Sequence, residues 1–116
     1  MRFPHNCRLR RKVEFDQVFK NARLRVRMGP LRALVRDNAG EFPRLGMVIA
    51  KRFANRAVDR NRVKRQIRES FRAHRSTLPA CDVVVQLIDA PGNADLGELM
   101  RSIWDRVRDK ADERPD

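Results

Sequence analysis

The chemistry for which this sequence is best equipped is the binding of phosphate groups, and the residues for it lie between positions 51 and 75. This stretch holds ten Lys and Arg residues but only two acids, Asp59 and Glu69. On a helix of ~100° per residue, Val63, Ile67 and Phe71 fall on one apolar stripe. The cations occupy the opposite half of the helix: Arg62, Lys64, Arg65, Arg68, Arg72 and Arg75. Arginine predominates there, and its planar fork of donors matches a phosphate group.

Like charges at helical spacing repel one another by a few tenths of a kcal/mol per pair. A solvated helix face is the ordinary interpretation of charged residues, but such faces mix Lys with Glu, and this one has almost no acids. The pattern therefore favours a surface that binds a polyanion. Arg56 and Arg60 project toward the edge of the apolar stripe, where we expect a carboxylate or carbonyl partner within the protein. The Asn61 side chain can form hydrogen bonds with neighbouring backbone groups as easily as with RNA.

Two aromatic residues near the start of the chain, Phe15 and Phe19, are spaced one helical turn apart. On the residues alone, core packing is the favoured explanation for such a pair. The alternative is stacking on unpaired nucleic-acid bases, at ~1–3 kcal/mol per ring. Only a ring that stays partly exposed could serve in this way.

The sequence does not show the residue groups with which a protein could itself catalyse cleavage of a nucleic acid. A protein nuclease needs paired carboxylates or a His/Asp/Glu metal cluster, yet His5 and His74 are isolated and the acids are scattered among Lys and Arg. Cys7 and Cys81 lack CxxC spacing and a neighbouring His pair, so we expect free thiols in a reducing compartment and no metal site. The sequence therefore favours a binding protein over a protein nuclease.

The net charge of +12 is unevenly distributed along the chain. Residues 1–75 carry 22 basic and 6 acidic side chains, whereas residues 76–116 carry 5 and 9. This asymmetry favours a nucleic-acid partner, through Coulomb attraction and counterion release. No apolar run approaches the ~20 residues of a membrane-spanning helix, and the basic start has no secretory apolar stretch behind it. We expect a cytoplasmic protein that does not bind membranes.

The predicted elements form one domain, residues 1–116, with a basic extended arm at 1–11 and a frayed tail at 111–116. Periodicity and turn residues predict helices at 12–20, 56–75 and from Asn93 or Asp95 to about Lys110, and strands at 23–28, 31–36, 45–50 and 83–88. The order α-β-β-β-α-β-α indicates an α+β fold. We expect a two-layer sandwich, with one mixed four-stranded sheet and helices packed on it.

The segment from Ala57 to Arg65, Ala-Val-Asp-Arg-Asn-Arg-Val-Lys-Arg, followed by Arg68-Glu69-Ser70-Phe71-Arg72, resembles the signature of the bacterial ribonuclease P protein component. Further matches in the same order cover nearly the whole chain. They are Arg8-Leu9, Phe15-x-x-Val18-Phe19, Arg44-Leu45-Gly46 through Lys51-Arg52, and Asp82-Val83-Val84-Val85.

The resemblance implies the protein subunit of an RNA-based endonuclease, a hydrolase that removes the 5′ leader of precursor tRNA. It implies that the RNA subunit and its bound Mg²⁺ are the catalyst, that the partners are this RNA and precursor tRNA, and that no protein partner is obligatory. The residues implied to bind the catalytic RNA are Arg60, Asn61, Arg62, Lys64, Arg65, Arg68 and Arg72. Those implied to line a cleft for the single-stranded leader are Phe15, Phe19, Lys51 and Arg52. The resemblance also implies a left-handed crossover around the second helix, against the general rule.

Three positions depart from the family's pattern. Ala54 replaces a glycine, so its turn must form without a positive φ angle. Ala33 offers no aromatic ring where many members carry one, which predicts thinner stacking on the leader. Residues 86–89, Gln-Leu-Ile-Asp, lack the basic residue that usually ends the fourth strand.

Two other kinds of nucleic-acid-binding protein compete with this interpretation. A ribosomal or assembly protein that binds RNA would share the basic helix but would not need the Phe15/Phe19 cleft. A DNA-binding protein with its arginine helix in a major groove is less well supported, because the chain has neither a dimerisation heptad nor a second short helix at turn spacing.

Overall fold

The computed structural model describes residues 7–112, with side chains through Lys110. Three helices and four strands follow one another in the predicted order. They are α1 (Lys12–Asn21), β1 (Leu24–Met28), β2 (Leu31–Asp37), β3 (Arg44–Ile49), α2 (Ala57–His74), β4 (Cys81–Leu87) and α3 (Leu96–Asp112), and a short 3₁₀ turn (Arg75–Thr77) extends α2.

The four strands form one mixed sheet in the order β1-β2-β4-β3. β1 pairs antiparallel with β2, and β2 pairs antiparallel with β4. β3 and β4 are parallel, with Leu45 opposite Val83 and Ile49 opposite Leu87. Parallel neighbours require a crossover connection, and α2 provides it. The α+β class and the mixed sheet are thus confirmed, whereas the left-handed sense of the crossover stays a prediction.

The main core lies between one face of the sheet and the helices α2 and α3. Val63, Ile67 and Phe71, predicted as the apolar stripe of α2, are all buried. Trp104 of α3 is fully buried, with its ring centroid 5.8 Å from that of Phe71. Its indole N–H donates to the Ser70 hydroxyl at 2.9 Å, so the polar end of the ring is also satisfied.

The opposite face of the sheet carries α1 and a smaller apolar cluster. Val18 of α1 is fully buried there against Leu34 and Val84. Because successive strand residues point to opposite faces, Ala33 points to the other side, into the core under α2 and α3. The prediction that Ala33 thins the stacking surface is therefore wrong, since its side chain does not face α1 at all.

Two further expectations concern the chain's start and the turn after β3. The described end of the basic arm packs on the sheet: Cys7 and Leu9 are buried, Arg8 forms an isolated parallel bridge with Leu45, and the Leu9 amide donates to the Leu45 carbonyl at 2.9 Å. The rest of the arm, residues 1–6, and the tail at 113–116 lie outside the described residues. Ala54 does occupy a turn without a positive φ angle, as predicted. Cys7 and Cys81 are both buried.

Candidate nucleic-acid interface

The exposed side of α2 carries a group of cationic side chains. Three arginines, Arg62, Arg65 and Arg72, are exposed there together with Asn61. Of the ion pairs formed within residues 7–112, none includes these three arginines. Their charges remain available to phosphate groups.

Other basic residues of α2 are engaged within the protein. Arg60 donates to the carbonyl oxygens of Ala54 and Asn55 at 3.0 and 2.9 Å, which closes the turn before α2. Arg56 forms an ion pair with Asp59, whose pKa is lowered mainly by that hydrogen bond. Both arginines thus have the internal partners expected of them, and the guanidinium of Arg60 is held by the turn rather than directed to solvent.

A cleft of about 190 Å³ lies at the outer edge of β3, between α1 and α2. Residues 8 and 9 pair with Leu45 of β3. The cleft begins where this pairing ends. The cleft is lined by Arg8, Leu9, Phe15, Leu45, Gly46, Met47, Lys64 and Arg68.

The structure therefore brings together residues that the resemblance assigned to two different ligands. Lys64 and Arg68 were assigned to the catalytic RNA and Phe15 to the leader, yet all three line one cleft. Arginine and lysine on one wall and an aromatic ring on the other suit a nucleotide, which is both charged and planar.

Phe15 and Phe19 are both half-buried, and Val18 between them anchors the helix instead. The Phe15 ring lies directly on Gly46, so that a Cβ at this glycine would come within 2.6 Å of Cε1. Phe19 packs on the same small cluster, and its carbonyl accepts a hydrogen bond from Arg25. Each ring keeps some surface open to solvent, which stacking requires.

A network of charges that sequence reasoning missed fixes α1 on the sheet. Arg44 binds both carboxylate oxygens of Asp82, which is 1% exposed, at 2.8 Å each. It also donates to Glu14 at 3.0 Å. The other Glu14 oxygen accepts the backbone N–H groups of Arg10 and Arg11 and so caps α1. The only sequence signal was Asp82 at the start of an otherwise apolar strand.

The same network shifts two pKa values. Hydrogen bonds from the Arg11 and Arg10 backbone, and then the charge of Arg44, hold the pKa of Glu14 below its ordinary 4.5. The hydrogen bond to Asp82 raises the pKa of Arg44. Both groups are therefore charged at neutral pH.

Lys51 and Arg52 are exposed in the turn that follows β3. Arg52 lines a second recess with Asn55, Arg62 and Gly92, and its guanidinium lies 4.7 Å from the centre of the Phe53 ring. Neither residue lines the cleft beside Phe15. The four residues assigned to the leader therefore do not share one recess, and Arg52 is grouped with Arg62 of the cationic face.

Two further findings concern metals and membranes. Among residues 7–112, no group of three or more His, Cys, Asp or Glu side chains is placed to hold a metal ion. Over the same range, no helix is long and apolar enough to cross a membrane.

Comparison with known proteins shows which family the chain is similar to. The family model described as Ribonuclease P matches residues 3–109. The ribonuclease P protein component of Thioalkalivibrio sulfidiphilus is 44% identical over 90% of this chain and 89% of its own length. That of Chromohalobacter salexigens is 41% identical, over 90% of this chain and 84% of its own.

Solved structures give the same result. The RNase P protein from Thermotoga maritima is 30% identical, with a TM-score of 0.62 over 90% of both chains. The Staphylococcus aureus RNase P protein at 2.0 Å is 26% identical, with a TM-score of 0.72 over 90% of this chain and 94% of its own. The chain belongs to the ribonuclease P protein family.

Proposed function

We propose that this protein binds the RNA subunit of ribonuclease P through the exposed face of α2 and receives the single-stranded 5′ leader of precursor tRNA beside α1. It thereby assists endonucleolytic removal of the leader in the cytoplasm, with no obligatory protein partner. The observation that carries the proposal is the single cleft in which Phe15 of α1 faces Lys64 and Arg68 of α2. An RNA bound to α2 would be next to a leader bound at α1.

The cationic face supplies affinity for RNA without reading its sequence. Each phosphate neutralised by Arg62, Arg65 or Arg72 releases condensed counterions, so binding weakens as salt is added. These side chains also reduce the repulsion between two RNA molecules, the catalytic subunit and the substrate. Less Mg²⁺ would then be needed to bring the two RNAs together.

The aromatic surface supplies selectivity for precursor over mature tRNA. Unpaired bases of the leader can stack on Phe15 and Phe19, at ~1–3 kcal/mol each. Mature tRNA has no leader and gains nothing from these rings. The protein would hold the substrate by the segment that is to be removed.

The cleavage itself belongs to the RNA subunit in this proposal. Mg²⁺, bound mainly by that RNA, would supply the activation of water and the stabilisation of charge. The protein contributes binding, orientation and charge screening.

Cleavage of precursor tRNA, measured across a range of Mg²⁺ concentrations, tests the proposal. We expect the cognate RNA subunit with the protein to cleave at lower Mg²⁺ than the RNA alone, and the protein alone to cleave nothing. Cleavage by protein that has been treated to remove RNA would contradict the assignment of catalysis to the RNA. An unchanged Mg²⁺ requirement would contradict the assisting role.

A further inference from the structure

α1 makes only a small apolar contact with the sheet. Of its ten residues, all within the described part of the chain, only Val18 is buried. Phe15 and Phe19 add half-buried rings to the same cluster. Contact centred on one side chain does not by itself fix the tilt of a helix. The end of α1 that carries Phe15 therefore needs a second attachment.

That attachment is a chain of hydrogen bonds that begins inside the sheet, at Asp82 of β4. Asp82 is 1% exposed, and its Oδ1 accepts from Nδ2 of Asn38 at 2.9 Å and from Nε of Arg44 at 2.8 Å. Its Oδ2 accepts from Nη2 of Arg44, also at 2.8 Å. The remaining nitrogen of Arg44, Nη1, donates to Oε2 of Glu14 at 3.0 Å. All three nitrogens of the guanidinium are thus engaged within the protein.

The chain of hydrogen bonds ends on the backbone at the start of α1. Oε1 of Glu14 accepts the N–H groups of Arg10 and Arg11 at 2.9 Å each. Glu14 directly precedes Phe15, whose ring lines the cleft between α1 and α2. The buried carboxylate of Asp82 is therefore connected to one wall of the cleft, although Asp82 is not among the residues that line it.

The orientation of Arg44 is set by the sheet. Arg44 of β3 lies directly opposite Asp82 of β4, and two parallel N–H bonds to one carboxylate fix a guanidinium in direction as well as position. A lysine would supply the same charge without this planar fork. The strand pairing thereby determines where Nη1 meets Glu14, and so where α1 begins.

We propose that Asp82 is a positioning residue for substrate binding. Through Arg44 and Glu14 it holds the Phe15 end of α1 at the distance from α2 at which the cleft accepts its ligand. Asp82 touches no RNA in this account. The inference rests on the proposed function, because it assumes that precursor tRNA is held at the cleft.

Charge and position have opposite effects on RNA binding at Asp82. The protein has a net charge of +12, so removal of an acid would, through electrostatics alone, strengthen the binding of any RNA. Asp82→Asn also replaces one acceptor oxygen by an amide that cannot accept from Arg44, which breaks the fork. Positioning therefore predicts weaker binding of precursor tRNA, because displacement of a binding group lowers its contribution steeply.

Titration and cleavage by the complex reconstituted with the cognate RNA subunit test the inference. We expect Asp82→Asn to weaken binding of precursor tRNA about five- to tenfold, as for partial loss of one stacking contact. Binding of mature tRNA and of the RNA subunit should stay near the wild-type values. KM for precursor tRNA should rise with kcat unchanged. Asp109→Asn, an exposed acid on α3, is the control matched in charge and should bind precursor tRNA no more weakly than the wild type.

Arg44→Lys adds a readout that a direct phosphate contact would not give. Lysine keeps the charge and loses the fork, so this variant should lose affinity for precursor tRNA as Asp82→Asn does. The slope of log K against log salt should not change, because no phosphate contact is lost. Arg106→Lys, at an exposed arginine on α3, is the matched control.

Glu14→Gln covers the case in which Asp82→Asn does not fold. It leaves the pair of Arg44 with Asp82 intact and keeps an acceptor for the backbone N–H groups at the start of α1, but it turns an amide donor toward Arg44. We expect a smaller loss of affinity for precursor tRNA, in the same direction. The fluorescence of Trp104 shows that each variant is folded under the conditions of binding.

Selective loss of precursor tRNA binding in Asp82→Asn and Arg44→Lys, with an unchanged salt slope, supports the inference. If both variants are folded and bind precursor tRNA as the wild type does or better, while Phe15→Ala still binds it less well, the positioning role is refuted and the proposed function stands. A shallower salt slope in Arg44→Lys, or loss of affinity for the RNA subunit, would show a direct RNA contact and contradict the inference. A wild type that does not distinguish precursor from mature tRNA overturns the proposed function, and the inference with it.

Discussion

The ring of Phe15 rests on Gly46, with Cε1 and Cζ only 2.6 and 2.7 Å from where a Cβ on that glycine would lie. Contacts this short are not tolerated, so any side chain at position 46 must displace the ring. The glycine thereby lets α1 approach β3 closely enough for Phe15 to form a wall of the cleft.

Gly46→Ala should therefore disturb the cleft without removing any side chain that could bind RNA. We expect a loss of ~1–3 kcal/mol in the free energy of unfolding, as for overpacking. Binding of precursor tRNA should fall, while binding of mature tRNA stays near the wild-type value. Chemical denaturation and equilibrium binding measure the two effects.

The matched control for this variant is Gly97→Ala in the first turn of α3. A Cβ there meets only the Asp95 carboxylate, at an ordinary 3.5 Å, and alanine favours helix. Stability should be unchanged or up to ~1 kcal/mol higher, with normal binding. Equal effects of the two substitutions would show that the contact with Phe15 is not what matters at position 46.

Arg62→Ala and Arg65→Ala test the cationic face of α2. Both side chains are exposed, so the free energy of unfolding should change by no more than about 0.5 kcal/mol. Affinity for the catalytic RNA should fall, and the slope of log K against log salt should decrease by somewhat under one unit for each phosphate that is no longer neutralised. Binding titrations at several salt concentrations, with Arg106→Ala as control, measure this. Unchanged affinity in both variants would place the RNA on another surface.

Glu14→Gln tests the charge that connects α1 to Arg44. The pKa of Glu14 in the folded protein is below its ordinary 4.5, so its contribution to stability is present above pH 4.5 and is lost as the pH falls through the folded value. Gln keeps the capping geometry but not the charge. We expect the wild type to be more stable by roughly 0.5 kcal/mol at neutral pH.

The pH dependence is the stronger part of this prediction. Below pH 4.5, the difference in unfolding free energy between wild type and Glu14→Gln should shrink toward zero. Urea denaturation from acid to neutral pH, followed by the fluorescence of Trp104, measures it. A difference that stays constant over this range would mean that the carboxylate charge contributes nothing.

Local patterns in the sequence were sufficient to predict the elements, and the same patterns indicate a polyanionic ligand. The spacing of Val63, Ile67 and Phe71 is enough to identify the buried face of α2. The arginines on the opposite side identify the exposed face. Gly-Pro at 29–30 and Pro79 mark the ends of neighbouring elements. The observed boundaries differ from the predicted ones by one or two residues.

Relationships between strands were not predictable in the same way. The sequence order does not reveal that β4 lies between β2 and β3, so the bidentate pair of Arg44 with Asp82 and the hydrogen bonds of Arg32 with Gln86 were not foreseen. The missing basic residue at the end of β4 illustrates the same point. Taken alone, the sequence of β4 suggests that a positive charge is missing at its end. The pairing of the strands, however, places Arg32 of β2 beside Gln86 of β4. Ala33 was assigned to the wrong face because the register of β2 was unknown.

The most direct test of the central claim compares precursor and mature tRNA binding in the reconstituted complex, with Phe15→Ala and Phe19→Ala. Each ring is half-buried, so the variants should remain folded, unlike Phe71→Ala, which removes a fully buried ring and should cost ~3–5 kcal/mol of stability. We predict that at least one of the two variants loses ~1–3 kcal/mol of affinity for precursor tRNA while its affinity for mature tRNA is nearly unchanged. Unfolding of both variants, or an equal loss for both tRNAs, would contradict the claim that α1 and the sheet form a leader-binding cleft.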